Sequence, residues 1–169
     1  NDFYKLLLDE TMSYSCGYFK EASNTLYEAQ VNKVHHILDK LQLQEGQTLL
    51  DIGCGWGFLL MEAVKKYKVK GVGITLSTEQ AKEFEARAKQ AGMEDSLEVK
   101  VMDYRELEKS GMAFDRAVSV GMREHVGRDN YQTFMKNVDA VLKPQGLFLL
   151  HCITAQKEHP GDPWIRKYI

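Results

Sequence analysis

The segment DIGCGWG, residues 51–57, decides the fold. It follows the short apolar run Thr48–Ile52, which predicts a buried strand, and it leads into residues 56–67, whose apolar spacing predicts a helix. Glycine lets a backbone turn sharply and approach a ligand closely. The free N–H groups at the start of a helix carry partial positive charge. The segment therefore predicts a strand–turn–helix unit that binds an anionic group, either a nucleotide phosphate or an amino-acid carboxylate.

Strands and helices alternate on both sides of this unit. Residues 25–28 and 77–80 both fit a capping box, so each predicts the start of a helix, and the second helix extends to about Ala91. Such alternation predicts an α/β fold with a mostly parallel, twisted sheet covered by helices on both faces. Ligands of such sheets bind beyond the carboxyl ends of the strands. Further strands are predicted at 71–75, 97–102, 114–120 and 147–153, with a helix over 129–142 that stops before Pro144.

Composition restricts the functions to consider. With 169 residues, 44% hydrophobic and 27% charged, the chain is typical of effectively one globular domain, and a net charge of −2 argues against strong attraction to nucleic acid. Its three cysteines form no CxxC pair, which favours a reducing cytoplasm over a disulfide framework or thiolate zinc site. No apolar run is long enough to cross a bilayer. Without an initiator Met, and with an apolar-aromatic end, the chain is expected to be a fragment of a longer protein.

The glycine spacing separates the two kinds of ligand. A dinucleotide site requires GxGxxG, but Phe58 occupies the third glycine position, and the sequence is GxGxG instead. This pattern resembles the first motif of class I S-adenosylmethionine methyltransferases, whose glycines, here Gly53 and Gly55, meet the methionine moiety. In that family an acidic strand residue, here Asp51, supports the loop and the amino group. A glycine turn that only packs a helix on a sheet remains the alternative.

The next two strand ends offer polar groups for a nucleoside. The second strand ends without an acidic residue, which counts against NAD and leaves Thr75 and Gln80 as the nearest ribose partners. Alternatively, Gln80 only caps the helix. At the end of the third strand, Asp103 and Tyr104 offer a carboxylate and an aromatic face for adenine, unless this is a solvated loop.

Five segments together resemble the cyclopropane-fatty-acyl-phospholipid synthase family and the related mycolic acid cyclopropane synthases. The similarity covers essentially the whole chain, and the segments YSCGYF and EHVG are more specific than the glycine turn. The segments comprise residues 14–19, 50–57, 73–80, 119–127 and 150–153.

The resemblance implies a Rossmann-like bacterial transferase. Such enzymes move the methyl group of S-adenosylmethionine to a cis double bond of a phospholipid acyl chain and then remove a proton to close a ring.

The resemblance also implies how the chain is organised. Residues 1–45 would form a helical segment covering the cofactor site, and 46–169 a catalytic core whose last strands lie beyond this chain. The implied setting is cytoplasmic, at the inner membrane face, with a homodimer possible. Tyr14 and Ser15 would contact the methionine end. The positions that match the family's bicarbonate-binding residues are Cys16, Glu124, His151 and Ile153.

Two positions depart from the family pattern, and several alternatives remain open. Arg123 stands where the family commonly has Phe, and Cys152 stands where Thr follows the histidine. Glu124 and His125 could be a polar pair at a helix start, and His151 a satisfied core histidine. No metal is expected, because Glu124, His125 and His151 lack a recognised ligand spacing. The functional alternatives are a methyltransferase without ring closure and a nucleotide-binding module without catalysis.

Overall fold

A five-stranded, all-parallel sheet forms the centre of the protein. The computed structural model describes residues 2–154, 156 and 162–168. Strand order is β3-β2-β1-β4-β5, so the chain runs outward from the central strand in one direction and then crosses back to build the other half. The predicted parallel α/β sheet is confirmed. The strands are β1 Thr48–Ile52, β2 Lys70–Thr75, β3 Leu97–Val101, β4 Phe114–Val120 and β5 Leu142–His151.

Helices cover both faces of this sheet. In β1, Leu49 packs with α2, α3 and α4 on one face, whereas Leu50 and Ile52 pack on the α5 face. Alternate side chains of a strand point to opposite faces, so Asp51 lies on the same face as Leu49, below α2. The helices are α1 Asp2–Leu7, α2 Leu26–Lys40, α3 Phe58–Tyr67, α4 Thr78–Gln90, α5 Tyr131–Val141 and α6 Pro163–Tyr168. Among the described residues, none of these helices is long and apolar enough to span a bilayer.

The two predicted capping boxes have different outcomes. At α2 the box is complete, because Thr25 Oγ1 accepts from Glu28 N at 3.2 Å and Glu28 Oε2 accepts from Thr25 N at 2.7 Å. At α4 only half of it forms. Ser77 accepts from the Gln80 amide at 3.2 Å, but the Gln80 side chain accepts a hydrogen bond from Thr75 instead. Gln80 is therefore turned toward the end of β2.

The predicted boundaries around α5 and β5 were partly wrong. The helix expected from residue 129 begins at Tyr131, because residues 128–130 form a 3-10 turn after Gly127, whose φ is +78°. Strand β5 begins at Leu142 rather than Leu147, since Leu142 already pairs with Phe114 before the register shifts. It ends at His151, which leaves Ile153 beyond the strand.

Candidate cofactor site and active site

The glycine turn after β1 is compact and left-handed. The φ angles of Gly53, Gly55 and Gly57 are +83°, +54° and +85°, a region that favours glycine. The amides of Gly53 and Cys54 both donate to the Ile74 carbonyl at 3.0 Å, so the turn is fixed against the end of β2. The turn therefore lies at the edge of the sheet where β1 and β2 end.

A first cavity of about 240 Å³ lies against this turn. The N-terminal loop closes one side of it and α4 reaches it from the other. Six of the residues that the sequence assigned to the cofactor site line this cavity. Its lining includes Tyr14, Ser15, Asp51, Gly53, Gly55 and Gln80.

Asp51 is buried in this cavity without a full set of partners. It is 3% exposed, and its Oδ1 has no hydrogen-bond partner among the described residues. Burial raises the pKa of this carboxyl to about 7, and the charge of Lys33 opposes that rise. An unpaired buried carboxylate oxygen is costly, so this atom fits a donor carried by a ligand.

We expect Asp51→Asn to stabilise the unliganded protein more at pH 8 than at pH 5. The folded-state pKa is raised from 3.8 to about 7, so wild-type stability is lost as the pH rises through this window, whereas Asn does not ionise. The advantage of the variant should grow by about 1–3 kcal/mol between the two pH values. Urea unfolding without cofactor measures it, with exposed Asp95→Asn as the control. An equal effect of Asp51→Asn on stability at both pH values would contradict the raised pKa of the Asp51 carboxyl.

A second cavity of about 380 Å³ lies across the ends of β2 and β3. Gly53, Met122 and His125 line both cavities, so the two lie side by side. Sequence reasoning did not assign Met122 or His125 to a cofactor site. They were missed because their position depends on a turn after β4, where Gly121 has a φ of +67°. Among the predicted residues, Gly53, Thr75, Asp103 and Tyr104 line this second cavity.

The predicted nucleoside partners already contact one another or the core. Thr75 Oγ1 donates to Gln80 Oε1 at 2.8 Å, which pairs the two predicted ribose residues. The Asp103 carboxylate accepts from the Arg105 amide at 2.9 Å and from its Nε at 3.0 Å, and Arg105 lowers the pKa of Asp103. The Tyr104 ring packs edge-on against Phe134, with 5.2 Å between centroids. A nucleoside therefore meets an ordered set of polar groups.

Three of the four predicted anion-binding residues come together at the ends of β4 and β5. Glu124 Oε1 accepts from the Ile153 amide at 2.7 Å, and the His151 carbonyl accepts from the Gly121 amide at 2.9 Å. Cys16 is exposed, and none of the four lines either cavity. The loop that carries Cys16 does approach this region, since a Cβ on Gly121 would lie 3.3 Å from the Ser15 Cβ.

His151 is not a satisfied core histidine. Its Nδ1 is buried and has no hydrogen-bond partner among the residues that the structure describes. Burial, followed by the charge of Lys33, lowers the pKa of the ring below its usual value near 6.5. The ring is therefore neutral at pH 7, and it carries one donor and one acceptor nitrogen.

The two positions that depart from the family pattern contact each other. The Arg123 Nη1 lies 3.7 Å from the Cys152 sulfur, and its guanidinium stacks over the Tyr131 ring at 4.1 Å from the centroid. Arg123 and Glu124 belong to the same 3-10 turn, Arg123–His125. The Arg123–Cys152 pair therefore adjoins the Glu124–Ile153 hydrogen bond.

Lys33 is a site residue that sequence reasoning missed. It is 5% exposed, lines the first cavity, and donates from Nζ to Ser15 Oγ at 2.7 Å. Gln30, one turn earlier, donates to the Ser15 carbonyl at 2.9 Å. Both residues fall at the i, i+3, i+4 spacing of the buried face of α2, which also contains Val34 and Ile37. Polar residues within that apolar face were the available signal.

A parallel sheet in this order, with a glycine turn beside two neighbouring cavities, defines the Rossmann-like fold of class I methyltransferases. Within that class, the chain belongs to the mycolic acid cyclopropane synthetase family, whose model matches residues 1–169.

Individual relatives agree with this assignment. The chain is 47% identical to cyclopropane-fatty-acyl-phospholipid synthase of Escherichia coli over 100% of the chain and 42% of the relative. It is 46% identical to a probable fatty acid methyltransferase of Pseudomonas putida, over 96% of the chain and 41% of the relative. The chain thus spans less than half the length of these curated relatives. Mycolic acid cyclopropane synthase CmaA1, solved with SAH and CTAB, superposes with a TM-score of 0.82 at 42% identity, covering 88% of the chain and 51% of that protein.

Proposed function

We propose that the protein transfers a methylene unit from S-adenosylmethionine to the cis double bond of an unsaturated phospholipid acyl chain, forming a cyclopropane ring. The observation that carries this proposal is the 47% identity to the Escherichia coli synthase across the whole chain. The two neighbouring cavities beside the glycine turn support it, because a sulfonium nucleoside has an amino-acid end for the first cavity and a nucleoside end for the second.

The cofactor roles follow the two cavities. In the first cavity, Tyr14, Ser15 and the glycine turn surround the methionine moiety, and Asp51 accepts from its ammonium group. At the second cavity, the Thr75–Gln80 pair holds the ribose and Asp103 with Tyr104 holds the adenine side. The unpartnered Asp51 Oδ1 supports this assignment, because a bound ammonium group satisfies it.

Bound S-adenosylmethionine supplies an electrophilic methyl group. The protein's task is to align the acyl chain with that methyl and to exclude water from the cationic intermediate. Tyr18 and Phe19 are candidate rings for stabilising this cation, since their faces attract positive charge without reacting. The two side chains are 43% and 53% exposed, so an acyl chain could pack against them and shield them from water.

Ring closure requires a base for the proton that leaves the transferred methyl. We assign this role to a bicarbonate ion held by Cys16, Glu124, His151 and Ile153. The unpartnered His151 Nδ1 supports this assignment, and the Glu124 carboxylate can accept a hydrogen bond from the bicarbonate hydroxyl, which leaves another bicarbonate oxygen to take the proton. The Ile153 amide donates to Glu124 in this structure, so it has to leave that carboxylate to donate to the anion.

The remaining proposals concern the setting of the enzyme. An acyl chain within a phospholipid is reached at a membrane surface, so we propose a cytoplasmic enzyme that associates with the inner face of the membrane. We also propose that residues 1–45 act as a cover for the cofactor, since Tyr14, Ser15 and Lys33 reach the first cavity from that segment. A homodimer is proposed by analogy with the family.

Product analysis tests the proposed function. The protein is incubated with S-adenosylmethionine and vesicles of an unsaturated phosphatidylglycerol, with bicarbonate present, and the fatty acids are analysed by mass spectrometry. The expected product has gained one CH2 unit and takes up no hydrogen under mild hydrogenation that saturates alkenes without opening a cyclopropane ring. A chain that keeps its double bond, or no transfer at all, contradicts ring formation.

A methyltransferase that stops before ring closure is the second candidate. The 46% identity to the probable fatty acid methyltransferase of Pseudomonas putida favours it, as does the Arg123–Cys152 pair beside Glu124. The two functions differ in the fate of the double bond. A methylated product that still takes up hydrogen would identify this second function.

A further inference from the structure

We propose that the Lys33 ammonium binds the carboxylate of the cofactor's amino-acid end. This inference rests on the proposed S-adenosylmethionine site and adds a specificity-determining residue to it. Lys33 belongs to α2, well before the glycine turn in sequence, and it lines the first cavity together with that turn.

The position of Lys33 leaves donors available for a ligand. An ammonium group has three N–H donors, and within the described part of the chain Lys33 uses one of them, in a hydrogen bond to Ser15 Oγ at 2.7 Å. Among the described residues, no carboxylate oxygen lies within 4.0 Å of its nitrogen. A buried cation without a carboxylate is costly, and Lys33 is only 5% exposed. An anion that enters the cavity therefore relieves this cost.

The opposite charges in the first cavity identify the anion. Asp51 Oδ1 is unpartnered in the same cavity, so the lining offers one buried acid and one buried ammonium. A phosphate would pair with Lys33 but would be repelled by Asp51. An α-amino acid carries one carboxylate and one ammonium on the same carbon, and it satisfies both. This pair of charges therefore favours the amino-acid carboxylate over the phosphate, the two ligands that the glycine turn alone left open.

The surrounding charges agree with this assignment. Burial lowers the pKa of Lys33 to about 8, while Asp9, Cys16 and Asp51 oppose that shift. His151 also faces this charge, since Lys33 contributes to lowering the pKa of its ring. At pH 7 the ammonium form predominates, so the group carries the charge that a carboxylate requires.

A structural role predicts a different pattern of binding. If Lys33 only tethers the loop through Ser15, its loss weakens every ligand of the cavity equally. If it binds the carboxylate, its loss weakens only those ligands that have one. Decarboxylated S-adenosylhomocysteine keeps the nucleoside, the sulfur and the ammonium, and therefore isolates this one group.

Calorimetry of the purified protein with S-adenosylhomocysteine and its decarboxylated analogue tests the proposal. Lys33→Met should weaken S-adenosylhomocysteine by about 10- to 100-fold, the range for hydrogen bonds to charged groups. The analogue should change by less than about 3-fold. Lys33→Gln, which keeps a donor for Ser15, should show the same pattern, and exposed Lys82→Met should change neither ligand.

Three outcomes overturn the inference. If both Lys33 variants bind S-adenosylhomocysteine as tightly as the wild type does, Lys33 does not bind the carboxylate. The proposed cofactor is unaffected by that result. Equal weakening of both ligands assigns Lys33 to tethering the loop, and again the cofactor stands. If the wild-type protein binds neither ligand, the proposed function itself fails and this inference falls with it. Thermal unfolding of each variant shows that the binding is measured on folded protein.

Discussion

Replacing Gly57 with alanine is expected to destabilise the protein by about 3–5 kcal/mol. Two costs add at this position. The φ of Gly57 is +85°, a conformation that strains any residue with a Cβ. That Cβ would also lie 2.1 Å from Cδ2 of Phe84, a fully buried ring in the core below the glycine turn. Urea unfolding measures the loss, and far-UV circular dichroism shows whether a folded state persists.

Gly92→Ala is the matched control for this prediction. Gly92 also has a positive φ, +64°, but an added Cβ would meet no atom within 4 Å. Only the conformational cost applies there, so we expect a loss of about 1–2 kcal/mol. A loss at Gly57 no larger than the loss at Gly92 would show that Phe84 moves aside without cost and that the glycine is required for its φ alone.

Glu124→Gln is expected to lower the rate of cyclopropane formation by about 100- to 10,000-fold, the range for a general acid–base contribution. Glu124 holds the Ile153 amide at 2.7 Å beside His151, and a neutral amide accepts a hydrogen bond from the bicarbonate hydroxyl less strongly than a carboxylate does, so the base is held less well. Binding of S-adenosylhomocysteine should change little, since Glu124 lines neither cavity.

Turnover and cofactor affinity are measured together for this variant. Glu85→Gln, an exposed carboxylate on α4, serves as the control for a lost negative charge. Retention of more than about a tenth of the wild-type rate by Glu124→Gln would exclude the proposed role. A parallel loss of cofactor affinity would instead place Glu124 in the cofactor site.

Local patterns were sufficient to predict the framework of the fold. The glycine turn, the strand β1 before it and the helix α3 after it are encoded within 20 consecutive residues, 48–67, and this unit is confirmed. The start of β5 was predicted too late because Pro144 and Gly146 suggested a loop, whereas Leu142 pairs with Phe114 across the sheet. Such pairing depends on a distant strand and leaves no local signal.

The candidate site also divides into residues that a local motif predicts and residues whose role depends on distant parts of the chain. Gly53, Gly55 and Asp51 line the first cavity, and the sequence could bring them together because they belong to one continuous motif. Lys33 was missed because the spacing along α2 predicts a buried face without showing that this face borders a cavity. The predicted set of Cys16, Glu124, His151 and Ile153 came from resemblance alone. The structure joins Glu124 to Ile153, and the role of the set stays a prediction.

The turn after β4 has a consequence for how a reacted nucleoside departs. Met122 and His125 border both cavities, and an added Cβ on Gly53 would lie 2.9 Å from the Met122 Cγ. The short segment that carries Met122 and His125 therefore borders both the amino-acid end and the nucleoside end of the proposed cofactor. If the proposed cofactor lies along both cavities, we expect its release to require this turn to shift, so that turnover depends on that movement as well as on the chemistry.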